Sequence, residues 1–139
     1  MKSNDKILIL DFGSQYTQLI ARRVREIGVF SEVKPSSIST EAIIKMNPSG
    51  IILSGGPETV TISSSQKVHK SLLEAKIPIL GICYGMQTIA NELGGTVVKS
   101  DIREFGHAEI SHVNQSILFD NVSFDSDSRD VWMSHGDKV

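Results

Sequence analysis

The only cysteine of the 139-residue chain lies between two glycines, in the segment Gly81-Ile82-Cys83-Tyr84-Gly85. An apolar run at 77–82 precedes it, and apolar residues at helical spacing follow it until Gly94-Gly95. This order predicts a strand, a sharp turn and a helix, with Cys83 at the turn. Small neighbours let the backbone pass a strained turn, and the start of a helix favours the thiolate form. Cys83 therefore has the surroundings expected of a nucleophile.

Attack by such a thiolate on a carbonyl group produces an oxyanion that needs hydrogen-bond donors. The backbone N–H of Tyr84 would point toward the oxyanion, because it opens the predicted helix. The alternative is a structural cysteine, since free cysteines are among the most buried residues and most lone ones do no chemistry. The two flanking glycines at a strand-to-helix junction favour the nucleophile.

The elements that must position Cys83 alternate regularly along the first two thirds of the chain. Continuous apolar runs, typical of strands buried on both faces, alternate with helical patterns. Predicted strands are 6–12, 29–34, 50–54 and 79–82, and predicted helices are 16–27, 39–46, 67–75 and 86–93. The alternation predicts an α/β fold with a mostly parallel, open twisted sheet and helices on both faces, flavodoxin-like in form. Asp11, Gly55-Gly56 and Cys83 should meet at the carboxyl ends of the strands, where such sheets bind ligands.

The pattern changes after residue 95, where short apolar runs and alternating segments replace the helical spacing. Strands are predicted at 96–99 and 107–113, with further apolar runs at 117–119 and 131–133. We expect an antiparallel extension of the sheet from these segments.

Composition argues against several classes of protein. The formal net charge of -2 does not favour nucleic acid or an anionic membrane surface as a partner. One cysteine cannot form an internal disulfide, and no signal peptide or membrane-spanning run is present in the sequence. The expectation is a soluble cytoplasmic protein.

Four stretches, in order along the chain, resemble those of class I (triad-type) glutamine amidotransferases. The nucleophile motif is matched by Gly81–Gln87, the oxyanion loop by Ser54–Glu58, and the segment lining the glutamine pocket by Trp132–Asp137. Asp11–Gln18 resembles the opening of the amidotransferase domain in the GMP synthase family. One departure is Glu58, since related amidotransferases often have glycine there.

The resemblance implies a glutaminase in which the Cys83 thiolate attacks the side-chain amide of glutamine and forms a glutamyl thioester. It implies an oxyanion hole formed by the N–H groups of Gly56 and Tyr84, and no metal. Gln87, one helical turn after Cys83, can face the same pocket. The substrate-binding residues implied are Gly55, Gln87, Ser134, Gly136 and Asp137.

The resemblance also implies that the site is incomplete within these 139 residues. The family carries its triad histidine and glutamate after the segment matched by 132–137, and no comparable pair is present here. His69, His107, His112 and His135 are each expected to be structural or solvated rather than the base. We expect an N-terminal amidotransferase domain, truncated before the triad pair, that is inactive by itself.

The ATP-pyrophosphatase and dimerisation domains of the GMP synthase family are likewise absent from this sequence. In the family, the ammonia aminates XMP to GMP in the synthetase domain, so ATP and Mg²⁺ are expected there and no cofactor here. The expected partners are glutamine, the synthetase domain or a separate synthetase subunit, and a second copy of the full protein. A genuine short pseudo-enzyme is the other explanation for the missing pair.

Three alternatives stay open on the sequence. The first is an amidotransferase domain of another biosynthetic pathway. The second is a DJ-1-like cysteine-elbow redox protein or hydrolase, although Leu80-Gly81-Ile82 lacks the glutamate that would tune its thiol. The third is a non-catalytic binding module with a phosphate at Gly55-Gly56, although Pro57 removes one N–H donor.

Overall fold

The computed structural model describes residues 5–57, 66–111, 116–120 and 128–139. The chain divides into two compact units, one of residues 1–98 with 138–139 and one of residues 99–137. The elements are β1 (Lys6–Asp11), α1 (Thr17–Glu26), β2 (Phe30–Pro35), α2 (Thr40–Met46), β3 (Gly50–Leu53), α3 (Lys70–Leu73), β4 (Ile79–Gly81), α4 (Tyr84–Glu92), β5 (Val98–Ser111) and β6 (Ser128–Lys138).

The first unit contains a parallel sheet with the strand order β2-β1-β3-β4. The chain moves from β1 to one side, then crosses back to β3 on the other side. Because parallel crossovers are right-handed, this reversal puts α1 on one face of the sheet and α2 and α3 on the other. The predicted α/β fold with a mostly parallel open sheet is confirmed.

The continuous apolar run of β1 is explained by burial on both faces. Leu8 and Leu10 belong to the main core cluster, whereas Ile9 between them is fully buried outside that cluster. The cluster combines β1 and β3 with side chains from α2, the segment around α3, and the start of α4. Its buried members are Leu8, Leu10, Phe12, Ile43, Ile51, Leu53, Val68, Leu72 and Tyr84.

Local signals in the sequence explain where the helices begin and end. Ser39 caps α2, as predicted, by accepting a hydrogen bond from the Ala42 N–H at 3.2 Å. Asn47 ends this helix in the left-handed region with φ 47°. Gly28, after α1, has φ +82°, which is the conformation that glycine adopts most readily.

Helix α3 is shorter than the predicted helix 67–75. The preceding segment is held by α4 rather than by its own helical bonds, since the Val68 N–H donates to Thr88 Oγ1 at 2.9 Å. The Gln66 carbonyl accepts a hydrogen bond from the Tyr84 hydroxyl. These long-range bonds hold residues 66–69 outside the helix, which begins only at Lys70.

The antiparallel part predicted after residue 95 is present as a two-stranded sheet of β5 and β6. One 14-residue strand, β5, overlaps both of the strands that the sequence predicted at 96–99 and 107–113. His107 Nε2 on β5 lies 2.9 Å from Asp130 Oδ1 on β6, and both side chains are exposed. An exposed cross-strand pair of this kind adds little stability.

The two tyrosines of the chain give a matched test of the core contact at α4. Tyr84 is 2% exposed and its hydroxyl donates to the Gln66 carbonyl, whereas Tyr16 is 58% exposed. We expect Tyr84→Phe to lower the free energy of unfolding by about 1 kcal/mol, because the hydrogen bond from this buried side chain to the Gln66 carbonyl is lost. Tyr16→Phe should be neutral. Urea unfolding midpoints compare the two, and equal midpoints would contradict this role for the Tyr84 hydroxyl.

Candidate active site

Cys83 occupies a strained turn between β4 and α4, as the sequence predicts. We call residues 81–85 the elbow. Its backbone angles are φ 51° and ψ -114°, in a region that side chains other than glycine rarely adopt. Such a conformation costs of order 1–3 kcal/mol and persists only where surrounding contacts impose it. The Cys83 carbonyl accepts the first helical bonds of α4, from the N–H groups of Met86 and Gln87 at 3.0 and 3.1 Å. The residue itself is exposed, so its thiol is accessible to a substrate.

The flanking glycines are required by close backbone contacts. A Cβ on Gly81 would lie 2.6 Å from the Met86 nitrogen, within the turn itself. A Cβ on Gly85 would lie 2.6 Å from the Cβ of Leu53 and even closer to the Leu53 carbonyl oxygen. A side chain at Gly85 would push the turn away from β3, and one at Gly81 would collide with the first turn of α4.

Two backbone hydrogen bonds fix the turn against the end of β3. The Ile82 N–H donates to the Leu53 carbonyl at 3.0 Å, and the Gly85 N–H donates to the Ser54 carbonyl at 3.1 Å. The Tyr84 ring adds a tilted aromatic contact, with its centroid 5.5 Å from that of Phe12. The nucleophile is therefore placed by contacts to β3 and to the end of β1.

The glycine loop after β3 lies directly beside Cys83. A Cβ on Gly55 would lie 3.3 Å from the Cβ of Cys83 and 3.6 Å from Ser14 Oγ. A Cβ on Gly56 would lie 2.5 Å from the Phe12 carbonyl oxygen. The predicted meeting of Asp11, Gly55-Gly56 and Cys83 at one sheet edge is thus found. Within the described part of the chain, the Gly56 N–H has no hydrogen-bond acceptor.

Gln87 lies one helical turn after Cys83, as predicted. Its Oε1 atom is buried and has no hydrogen-bond partner among the described residues. A buried acceptor without a donor is unfavourable, so a ligand that supplies an N–H or ammonium group would stabilise it. This arrangement is compatible with the predicted contact to the substrate.

The remaining predicted residues that the structure describes belong to β5, to β6 or to the segment before α3. Ser134, Gly136 and Asp137 lie on β6, and their role in binding stays a prediction. His69 is the exposed residue that precedes α3 and His107 pairs with Asp130, while His135 lies on β6. Glu58 and His112 lie outside the described residues.

Polar side chains support these loops in a way that the sequence did not predict. Asp11 Oδ1 accepts from the Gly13 N–H at 2.9 Å and from Thr17 Oγ1 at 2.8 Å, which fixes the turn after β1. Ser54 is fully buried at the end of β3 and is bonded to both neighbouring loops. A small polar residue between a buried strand and two glycines was the available signal for Ser54.

A cavity of about 550 Å³ opens at the carboxyl ends of β1 and β2. It is lined by Asp11, Phe12, Gly13, Val33, Lys34, Pro35, Pro57 and Gln66. Cys83 is not among these residues, so the cavity is a neighbour of the elbow rather than the space above its thiol. In the described ranges, no group of three or more His, Cys, Asp or Glu side chains is arranged to hold a metal ion. None of the helices described there has the length and apolar character needed to cross a membrane.

Comparison of the sequence with known protein families identifies one family that includes most of β1, the glycine loop and the turn at Cys83 in the matched residues. The family model for class I glutamine amidotransferases matches residues 8–139. The chain belongs to the class I glutamine amidotransferase family.

Two curated relatives are named glutamine-hydrolysing GMP synthases. That of Teredinibacter turnerae is 54% identical over 141 residues, which cover 98% of this chain and 27% of that protein. That of Tolumonas auensis is 58% identical over 139 residues, which cover 96% of this chain and 26% of that protein. The chain therefore spans about a quarter of the length of these relatives.

Solved structures show the same fold. One from Thermoplasma acidophilum, described as a subunit of a GMP synthase, superposes with a TM-score of 0.76 at 29% identity, covering 96% of this chain and 66% of that one. A glutamine amidotransferase from Methylobacillus flagellatus gives 0.64 at 16% identity, over 96% of this chain and 55% of that chain, which supports the fold alone.

Replacing Gly85 by alanine tests the contact between α4 and β3. Alanine normally favours a helix over glycine by up to about 1 kcal/mol. Here we expect the opposite sign, a loss of about 1–3 kcal/mol or more, because the new Cβ meets the Leu53 backbone. The measurement is the free energy of unfolding in the full-length protein.

Gly28→Ala is the control for this substitution. Gly28 has φ +82° and nothing within 4 Å of an added Cβ, so it should lose only about 1–2 kcal/mol from its backbone conformation. A Gly85→Ala variant that is as stable as the unmodified protein would show that the elbow does not need this contact.

Proposed function

We propose that this chain is the glutamine-hydrolysing domain of a GMP synthase. The observation that carries the proposal is Cys83 at a strained strand-to-helix turn, with Gly55 against it. Family membership supplies the reaction class, and the identity of 54–58% to proteins named GMP synthase supports the particular pathway.

In the proposed reaction the Cys83 thiolate attacks the side-chain amide carbon of glutamine. The resulting oxyanion accepts hydrogen bonds from the N–H groups of Gly56 and Tyr84. Collapse of this intermediate breaks the carbon–nitrogen bond, and protonation of the leaving nitrogen releases ammonia. Water then attacks the glutamyl thioester, which gives glutamate and restores the thiol.

The substrate would be held by groups around the elbow. Gln87 Oε1 would accept a hydrogen bond from glutamine, since this buried oxygen has no donor among the described residues. Gly55 leaves room for the substrate beside Cys83. Ser134, Gly136 and Asp137 would contribute backbone contacts, as the resemblance to the family implies.

Further parts of the proposal concern groups outside this chain. The base and its carboxylate partner would come from residues beyond these 139, as would the domain that aminates XMP with ATP and Mg²⁺. The full protein would be a homodimer. The ammonia would pass to its own synthetase domain or to a separate synthetase subunit. A cytoplasmic setting belongs to the same proposal, because the nucleophile must stay a reduced thiol.

The other hypotheses from the sequence are less favoured. A DJ-1-like redox protein or hydrolase and a phosphate-binding module are both at odds with membership of the amidotransferase family. An amidotransferase of another pathway shares the Cys83 chemistry and differs only in the acceptor of ammonia, so the acceptor must be tested directly.

Replacement of the nucleophile should separate the two half-reactions of the full-length protein. We expect Cys83→Ala to lower glutamine-dependent GMP formation by about 10³-fold or more, since the proposed thioester forms on this thiol. GMP formation from free ammonium salts should stay close to that of the unmodified protein. Equal loss of both activities would contradict ammonia release by Cys83, and amination of a different acceptor in place of XMP would contradict the assigned pathway.

The 139-residue chain alone should show no measurable glutamine hydrolysis. General-base assistance contributes about 10²–10⁴-fold, and the proposed base lies outside this chain. The same assay on a chain extended through the expected triad pair provides the comparison. Turnover by the 139-residue chain would mean that one of its own four histidines acts as the base.

A further inference from the structure

Ser54 is bonded to three segments beside the proposed nucleophile: the end of β1, the glycine loop and the start of α4. It follows β3 directly, is 0% exposed, and its N–H donates to the Leu10 carbonyl at 3.0 Å. Its carbonyl accepts the Gly85 N–H of the elbow helix at 3.1 Å. Its hydroxyl accepts the Phe12 N–H at 3.0 Å and donates to the Gly55 carbonyl at 2.9 Å.

The bond to the Gly55 carbonyl sets the direction of the next N–H group. The Gly55 carbonyl and the Gly56 N–H belong to one planar trans peptide, in which they point in opposite directions. Because the buried hydroxyl of Ser54 draws the carbonyl inward, the Gly56 N–H is turned away from that buried side. This explains why the N–H has no acceptor in the described protein and is available to an oxyanion.

Two adjacent glycines cannot hold that orientation by themselves. Glycine populates both signs of φ about equally, so a peptide between two glycines can rotate at little conformational cost. Rotation would aim the carbonyl, rather than the N–H, at the space beside Cys83, and a carbonyl dipole there would repel a developing negative charge.

The hydrogen bond from the Phe12 N–H leaves the Ser54 hydroxyl as a donor to the Gly55 carbonyl. A serine hydroxyl has one proton to donate. Since the Phe12 N–H already donates to the oxygen, the proton of Ser54 is left for the Gly55 carbonyl. The end of β1 thereby fixes the peptide on which the proposed oxyanion hole depends.

We propose that Ser54 is a positioning residue that orients the Gly55-Gly56 peptide for glutamine hydrolysis. This inference rests on the proposed function, because it concerns the oxyanion of that reaction. Loss of the hydroxyl should lower kcat by about 10–100-fold, less than deletion of an oxyanion donor, which costs about 10²–10³. KM should change by less than about threefold, because the oxyanion forms only after the attack.

The test compares Ser54→Ala with Ser31→Ala in the full-length protein. Ser31 on β2 is also buried, at 2% exposure, and its hydroxyl donates to the carbonyl of Ala21 on α1 at 2.9 Å. It controls for the loss of a buried hydroxyl without touching the glycine loop. Glutamine kcat and KM are measured for both variants, together with the rate at which iodoacetamide alkylates Cys83.

Alkylation separates orientation of the peptide from damage to the nucleophile. Iodoacetamide reacts by displacement of iodide at a saturated carbon, so no oxyanion forms. We expect Ser54→Ala to lower kcat while its alkylation rate stays within about threefold, because this variant removes only transition-state stabilisation. Ser31→Ala should keep both kcat and the alkylation rate. An unchanged kcat in Ser54→Ala would overturn the proposal, as would an alkylation rate that falls as much as kcat in this variant. A loss of kcat in Ser31→Ala as large as in Ser54→Ala would also overturn it.

A structure of the unmodified protein covers the case in which Ser54→Ala does not fold. A diazoketone analogue of glutamine would alkylate Cys83 and leave its ketone oxygen where the oxyanion forms. The proposal requires the Gly56 nitrogen about 3 Å from that oxygen while Ser54 stays bonded to the Gly55 carbonyl. A Gly55 carbonyl turned toward the ketone would overturn it. An unmodified protein without glutaminase activity would instead contradict the proposed function.

Discussion

The backbone of the first turn of α4 lies directly on the end of β3, and the geometry around Cys83 depends on that contact. Gly85 has room for no side chain against Leu53, and its N–H donates to the Ser54 carbonyl. The strand before the turn is fixed to the same place, since Ile82 donates to the Leu53 carbonyl. With both sides of the turn fixed to one strand, the residue between them must adopt the strained conformation of Cys83. The strain is thus a consequence of packing that the glycines permit.

The same strand end supplies the loop opposite the nucleophile, so one point of the sheet organises both sides of the site. The chain reverses direction across the sheet between β1 and β3, and ligands of such folds bind where that reversal occurs. Here the two strand ends are joined through Ser54, which bonds to Leu10 and Phe12. Asp11 and Thr17 stabilise the turn after β1. The exposed Cys83 is therefore supported by the buried side chain-to-backbone bonds of Ser54 and by the polar contacts of Asp11.

The elements governed by local signals could be predicted from the sequence, whereas those governed by distant contacts could not. The apolar run of β1, the cap at Ser39 and the glycines around Cys83 each act within a few residues, and they gave nearly correct strands, helix ends and elbow. The shortening of α3 depends on the bond from Val68 to Thr88, which are 20 residues apart. The bond between Phe12 and Ser54 spans 42 residues, so the local sequence shows a small polar residue at this position but not its partner.

Glycine has two opposite effects on such a site, because the residue that permits close approach also permits rotation. Gly55 and Gly56 are confined on two sides, by Cys83 on one and by the Phe12 carbonyl on the other. These contacts limit how far the loop can move, but they do not choose between the two orientations of the peptide that joins the glycines. The choice requires a directional interaction, and the donor bond from Ser54 is directional and buried. A loop that needs glycine for space must therefore take its orientation from a neighbouring side chain, which here is the residue immediately before the glycines.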